Sequence, residues 1–168
     1  AVANSDYPVV IVGSGPIEVE LKAHAERLGL KHVLFVGALG EDDKVALLTL
    51  CYAVAFPSHL RSEAFGISLL EGAMYGKPMI SSEIGTGTTY INIDGETGLV
   101  VPPSDPQALG DAMRTLWDNP EMAADMGRRA EARYWELFSS ETMASNYLAL
   151  YEELAARHAL ASLAPAGA

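Results

Sequence analysis

Short β-branched runs alternate with longer stretches of helical period along most of this chain. Pro8-Val9-Val10-Ile11-Val12-Gly13 is apolar and ends in glycine, which predicts a buried strand. Beyond Gly15-Pro16 a helix is expected to about Leu28, with Leu21, Ala25 and Leu28 on one face and Gly29 as its stop. His32 to Gly37 is the next strand, and Asp42 to Leu50 has helical spacing with Val45, Leu47 and Leu48 apolar. Ala53 to Pro57 reads as a third strand and Ala64 to Tyr75 as a helix ended by Gly76-Lys77-Pro78. Met79 to Ser82 is a fourth strand, followed by a Gly/Thr-rich loop from Gly85 to Thr89. A turn over Asp94 to Gly98 then leads into a short strand, Leu99 to Val101. From Asp105 onward the pattern is helical. Asp105 caps a helix that begins at Pro106, and Asn119-Pro120 breaks it and starts another. Ser139 or Ser140 opens a last amphipathic helix bearing Met143, Tyr147, Leu150, Tyr151 and Leu154.

Strands of about five residues between helices of ten or more imply an α/β fold, a Rossmann-like parallel sheet with helices on both faces. An all-helical segment follows it. Residues 1–7 are expected to be disordered or tag-like, 8–158 to form the domain, and 159–168 to be a flexible tail. Ligands of such sheets bind beyond the carboxyl ends of the strands, so the loops after Val12, Val36, Phe56 and Ser82 are where chemistry is sought.

Composition narrows the function classes. Eleven basic residues against twenty-two acidic ones leave a net charge of −11, without the basic face that nucleic-acid binding requires. The densest basic group, Arg128-Arg129 with Arg133, is interleaved with Glu131 and Glu136 and reads as a solvated helix face. Cys51 is the single cysteine and lies in an apolar stretch, so it is read as a core residue rather than half of a disulfide. No apolar run approaches the ~18 residues of a membrane span, and Ala1 to Asp6 lacks the regions of a signal peptide. A cytoplasmic place is expected. His24, His32, His59 and His158 make no zinc-ligand spacing, so no metal is expected.

Each of the four loops reads two ways. Gly13 to Glu18 lies at a strand-to-helix junction that suits a phosphate, but Glu18 in the first turn would repel one and a tight turn serves equally. In Gly37 to Lys44 the acids Asp42 and Asp43 suit a helix start, while a backbone turned by two glycines also suits reading a base edge. Glu63 and Glu71 stand eight residues apart, roughly 12 Å along a helix. Two such carboxylates would serve the two ends of an elongated polyol ligand, with Phe65-Gly66-Ile67-Ser68 and its free N–H groups between them. Alternatively Glu63 caps the helix and Glu71 is a surface residue. Gly85 to Thr89 is either a lid or an ordinary loop.

With Glu63-Ala64-Phe65-Gly66-Ile67-Ser68-Leu69-Leu70-Glu71 in view, the chain resembles the retaining GT-B glycosyltransferases, a family that includes bacterial mannosyltransferases. Phe35-Val36-Gly37, Phe56-Pro57-Ser58, Gly76-Lys77-Pro78 and Gly95-Glu96-Thr97-Gly98-Leu99-Val100-Val101-Pro102 support the likeness, which runs from about Pro8 to Tyr151. The resemblance implies that 8–158 is the nucleotide-sugar-binding, C-terminal half of a GT-B fold. It implies that Glu63 contacts the transferred sugar and is the catalytic residue, with Phe65, Gly66, Ile67 and Ser68 helping to hold sugar and phosphate. Glu71 matches the ribose-binding residue, and Leu39, Glu41 and Lys44 match positions near the base. No cofactor is implied beyond the donor, for which the stretch Ser58 to Glu63 suggests GDP-mannose, used in building a surface polysaccharide.

Two departures accompany the likeness. The family's diphosphate-binding Arg and Lys, which follow its first strand, have no counterpart, and the N-terminal acceptor-binding domain is absent. Both fit a truncated form that does not turn over by itself. In the family the last helix packs back on the N-terminal domain, so here its apolar face would be exposed and favour self-association. The full enzyme would be peripheral at the inner face of the membrane. A nucleotide-sugar epimerase of the same architecture and a non-catalytic interaction domain are the rival readings.

Overall fold

The computed structural model describes residues 1–3, 5 and 7–163. Five strands and seven helices follow in the order β1 (Val9–Val12), α1 (Glu18–Arg27), β2 (Val33–Gly37), α2 (Glu41–Leu50), β3 (Val54–Phe56) and α3 (Ile67–Met74). Then come β4 (Met79–Ser82), α4 (Thr88–Ile91), β5 (Gly98–Val101), α5 (Pro106–Asp118), α6 (Pro120–Leu137) and α7 (Ser140–Leu163). Apart from α4, the start of α3 and the end of α7, which runs on to Leu163, these strands and helices lie within two residues of their sequence-predicted places. The fold is α/β with parallel strands and a helical C-terminal segment, as expected.

The single expected sheet is divided in two among the described residues. β1 and β2 pair in parallel, and β3, β4 and β5 form a second parallel sheet in that order. β4 is its central strand, and all four of its residues are buried. Consecutive side chains of a strand point to opposite faces. Ile80 accordingly packs with Val101, Ala112, Leu116, Ala123 and Met126, while Met79 packs with Leu69, Ala73, Ile91 and Ala130. Helices α5 and α6 cover one face, and α3 and α4, with the far end of α6, cover the other.

Asp105 caps α5 as predicted, its carboxylate accepting from the N–H groups of Gln107 and Ala108 at 3.0 and 2.9 Å. Asn92 is the polar pin of the core. Its fully buried side chain donates to Ser81 Oγ at 2.9 Å and to the Leu99 carbonyl at 3.1 Å, and accepts from Thr97 Oγ1 at 3.1 Å. One side chain thus ties β4, β5 and the end of α4 together.

The N-terminal half is covered far less than its sequence predicts. Of the α1 face of Leu21, Ala25 and Leu28, only Ala25 is buried, and α2 has no buried residue at all. Val10, Ile11 and Val12 of β1 are 36, 37 and 45% exposed. Periodicity marks the face that wants a partner, and the described chain does not supply that partner. Cys51 is half-buried rather than a core residue, and burial pushes its thiol pKa up.

Contacts also reach into the first seven residues. The Val2 carbonyl accepts from His32 Nε2 at 3.0 Å, and the Tyr7 ring lies 5.0 Å from that of Trp117. The tail expected over 159–168 is helical in its backbone to Leu163, and its last five residues lie outside the described residues. Arg133 is not part of a solvated face. It donates to the Tyr90 carbonyl at 2.7 Å and stacks on Tyr90 and Phe138, because the turn of α6 that carries it faces α4. On α7 the side chains of Met143, Tyr147, Leu150, Tyr151 and Leu154 are exposed, as the family resemblance led us to expect. Among the described residues, no helix is long and apolar enough to cross a membrane.

Asn92→Ala should cost about 2–3 kcal/mol, because it removes at once the hydrogen-bond partner of the buried Ser81 hydroxyl, of the Leu99 carbonyl and of the Thr97 O–H. Urea unfolding measures it, and a loss below 1 kcal/mol, on the order of a surface substitution, would refute the pin.

Candidate functional site

The chain leaves β3 at Phe56 and reaches α3 through a loop that carries Glu63. The Glu63 N–H donates to the Leu60 carbonyl at 3.1 Å, which turns the loop back on itself. Its carboxylate then accepts the Phe65 N–H at 3.3 Å. Glu63 therefore does not cap α3; it closes the turn that precedes the helix. The next residue, Gly66, has φ +96°, a left-handed backbone that L side chains rarely adopt. Helical geometry cannot pass through that residue, so α3 begins at Ile67 and not at Ala64 as the periodicity suggests. No side chain caps α3, which leaves the N–H groups of Ile67 and Ser68 bare at its positive end. Both residues are exposed.

The Gly85 to Thr89 loop forms one wall with this turn. The Gly87 N–H donates to the Ala64 carbonyl at 2.9 Å, and a Cβ on Gly87 would come within 2.6 Å of the Phe65 ring. Buried Thr88 stands behind Gly66, its Cγ2 3.4 Å from where a Gly66 Cβ would sit. Behind that wall, Phe65 meets Phe138 edge-on at 6.3 Å, and Tyr90 meets the same ring at 5.6 Å. The loop is thus tied to the Glu63 turn, and its second half is already the helix α4.

Glu71 lies one full turn further along α3 and faces α2 instead. Lys44 donates to Glu71 Oε1 at 2.7 Å and to Glu41 Oε1 at 3.0 Å. Hydrogen bonds to Glu71 and then to Glu41 hold the Lys44 ammonium above the usual lysine range. Half-buried Leu39 precedes Gly40, the extended N-cap of α2. Two groups emerge from the predicted residues. Glu41, Lys44 and Glu71 meet through their side chains, while Glu63, Phe65, Gly66, Ile67 and Ser68 form the turn and helix start.

The two other nearby cations are engaged elsewhere. Lys77 donates to the Thr49 carbonyl at 2.8 Å, and Arg61 reaches the Ile84 carbonyl at 3.5 Å. The sequence reading passed over a recess of about 210 Å³ at the carboxyl ends of β3, β4 and β5, walled in part by His59, Ser82, Ser104 and Asp105. Ser104 has φ +59°, unusual for a residue other than glycine. Nothing local in the sequence marks that backbone.

The family model for glycosyl transferases group 1 matches residues 1–133. This chain belongs to that family. Among its curated relatives, the D-rhamnosyltransferase WbpZ of Pseudomonas aeruginosa is 69% identical over 140 residues, 83% of this chain and 37% of that protein. The O-antigen chain mannosyltransferase C of Escherichia coli is 50% identical over 154 residues, 92% of this chain and 42% of that protein. The group 1 domain described here therefore spans about two fifths of the length of these relatives. Among solved structures, Anabaena HepE in complex with UDP superposes with a TM-score of 0.78 at 23% identity, over 88% of this chain and 41% of that one. Sucrose-phosphate synthase from Thermosynechococcus elongatus gives a TM-score of 0.76 at 28% identity, over 88% and 38%. The architecture is that of GT-B glycosyltransferase domains.

Gly66→Ala should destabilise the chain by about 1–2 kcal/mol, since the added Cβ meets a left-handed backbone and lies 3.1 Å from Leu69 Cδ1. A denaturant midpoint equal to that of the unsubstituted chain would show that the turn relaxes and does not define the start of α3.

Proposed function

We propose that this chain is the donor-binding, C-terminal part of a retaining glycosyltransferase that moves a hexose from a nucleotide-diphosphate sugar to a glycan or lipid-linked acceptor. The observation that carries the reading is the bare N-terminus of α3 held between two carboxylates. Glu63 sits before it, and Glu71 sits one turn beyond on the side of α2. A diphosphate suits the N–H groups and helix dipole in the middle, while sugar and ribose hydroxyls suit the carboxylates on either side.

In this reading Glu63 is the catalytic residue that orients the transferred sugar, and Phe65 to Ser68 line the sugar and phosphate. Glu71 binds the ribose. Lys44 holds only one oxygen of that carboxylate, Oε1, so Oε2 is left for a diol. Leu39, Glu41 and Lys44 lie beside the base. Solved relatives support a nucleotide ligand, since HepE crystals hold UDP, UDP with glucose, or UDP-glucose. The two curated relatives are named for D-rhamnose and for mannose. D-Rhamnose is 6-deoxymannose, so both sugars share the manno configuration, and GDP-mannose or its 6-deoxy counterpart is the donor we favour.

Departure of the diphosphate requires positive groups aimed at the developing charge. Arg61, Lys44 and Lys77 are engaged with protein oxygens, so the reading assigns that task to residues outside this sequence. The acceptor site belongs to the N-terminal domain of the whole protein, which the exposed face of α7 would meet. In its absence the same face favours self-association. The isolated chain binds nucleotide weakly and does not turn over. Placement of the whole enzyme at the inner membrane face belongs to this reading as well.

The test is made on the two-domain enzyme and on this chain in parallel. Glu63→Ala should lower kcat by a hundredfold or more, about 2.7 kcal/mol of barrier, while the denaturant midpoint changes little. Losses of stability that match the loss of activity would return Glu63 to a structural role. Glu71→Ala should weaken GDP binding about tenfold by calorimetry, and undiminished affinity would remove it from the ribose site.

A further inference from the structure

Arg133 carries a charge that no acid answers. Glu131 and Glu136 flank it in sequence, yet among the described residues no carboxylate pairs with it. Its guanidinium lies 5.2 Å from the centre of the Tyr90 ring and 5.8 Å from that of Phe138, and it donates to the Tyr90 carbonyl at 2.7 Å. That carbonyl stands in the last turn of α4, where a helix has no N–H of its own to offer. A charge-assisted hydrogen bond therefore closes the end of α4. The base of the arginine is fixed, since Ala130, one turn back on α6, is buried with Met79 and Ile91.

A short series of contacts leads from α4 to the Glu63 turn. Tyr90 and Phe65 each meet the Phe138 ring edge-on, at 5.6 and 6.3 Å. Ahead of α4, the Gly87 N–H donates to the carbonyl of Ala64, the residue between Glu63 and Phe65, at 2.9 Å. Thr88, the first residue of α4, backs Gly66. The helix thus touches the turn at its start and is held by Arg133 at its end. Its inner side is secured separately, because Ile91 is buried and Asn92 is pinned to β4 and β5. Loss of Arg133 would free the outer side of α4 and the loop ahead of it without opening the core.

We infer that Arg133 is a positioning residue for sugar recognition, clamping α4 so that the Gly85 to Thr89 loop and Phe65 hold the Glu63 turn in the shape that receives the transferred sugar. The inference rests on the reading of Glu63 as the residue that meets that sugar. Arg133 acts through Tyr90, Phe138 and Phe65 and does not itself touch the ligand. A turn that keeps its shape for only a fraction of the time weakens sugar binding in proportion to that fraction. The ribose end is spared, because Glu71 faces α2, where Lys44 holds it. The clamp uses one N–H donor and a positive charge beside two rings, while the buried Nε has no partner among the described residues. A lysine ammonium supplies both of the parts in use.

Arg133→Met keeps an apolar stem against the rings and removes the donor and the charge, whereas Arg133→Lys keeps both. In the two-domain enzyme, binding of GDP-mannose and of GDP is compared by calorimetry. Hydrogen exchange is followed at the Gly87 amide, with the Val54 amide, bonded to the Pro78 carbonyl, as control. The Met variant should bind GDP-mannose about tenfold more weakly, with GDP affinity changed by about twofold or less. Its Gly87 amide should exchange about tenfold faster while Val54 is unchanged. The Lys variant should stay within about threefold of the unsubstituted enzyme on both measures. Equal losses for the two ligands, or a Lys variant no better than Met, would reduce Arg133 to a structural contact and overturn the inference. GDP-mannose affinity left intact in the Met variant would overturn it as well. Binding of neither ligand by the unsubstituted enzyme would remove the donor reading instead, and unchanged Gly87 exchange in the Met variant would then overturn the clamp by itself.

Discussion

A strand inside a parallel sheet needs a neighbour on each edge and an apolar cover on each face, because unpaired N–H and C=O groups and bare β-branched side chains both cost free energy in water or in a core. β4 meets every part of this requirement. Its edges pair with β3 and β5, and Met79 and Ile80 send their side chains into separate clusters on opposite faces. The rest of the well-packed region is arranged around that strand. α6 passes beneath it and contributes Ala123 and Met126 to one cluster and Ala130 to the other. β1 and β3 each meet only half of the requirement, and the poorly covered part of the molecule lies beside them.

The site depends on the same strand order. Loops that carry polar groups are free to vary at the carboxyl ends of the strands, where the sheet offers backbone ends but no side-chain cover. Gly66 sets the geometry there. Its left-handed backbone separates the Glu63 turn from α3, so the first N–H groups of the helix emerge between the two carboxylates. Gly87 lets the neighbouring loop close against Phe65, which braces the turn from behind. Electrostatics complete the arrangement. In a chain with a net charge of −11, Lys44 pairs with both Glu71 and Glu41 and so offsets the repulsion between the two acids.

Much of this architecture is legible in the sequence because its causes are local. The run Val9 to Val12 is a strand by composition, Asp105 before Pro106 is a helix start by capping chemistry, and Asn119-Pro120 is a break by backbone sterics. The eight-residue spacing of Glu63 and Glu71, with Gly66 between them, is likewise visible without coordinates. Together these features determined the element order, the α/β class and the two acidic anchors of the candidate site.

Tertiary structure alone decided which of these groups meet. Lys44 and Glu71 are 27 residues apart, and only the packing of α2 beside α3 makes them an ion pair. Arg133 looks solvated beside its acidic neighbours, yet it stacks on two aromatic rings because α6 crosses α4 there. Leu21 and Leu28 have the spacing of a buried face and remain exposed. Periodicity reports the cover a face is built to receive, since it depends only on neighbours along the chain. Whether the cover is present depends on strands and helices distant in sequence, and among the described residues β1 and β3 each have a strand neighbour on one edge only.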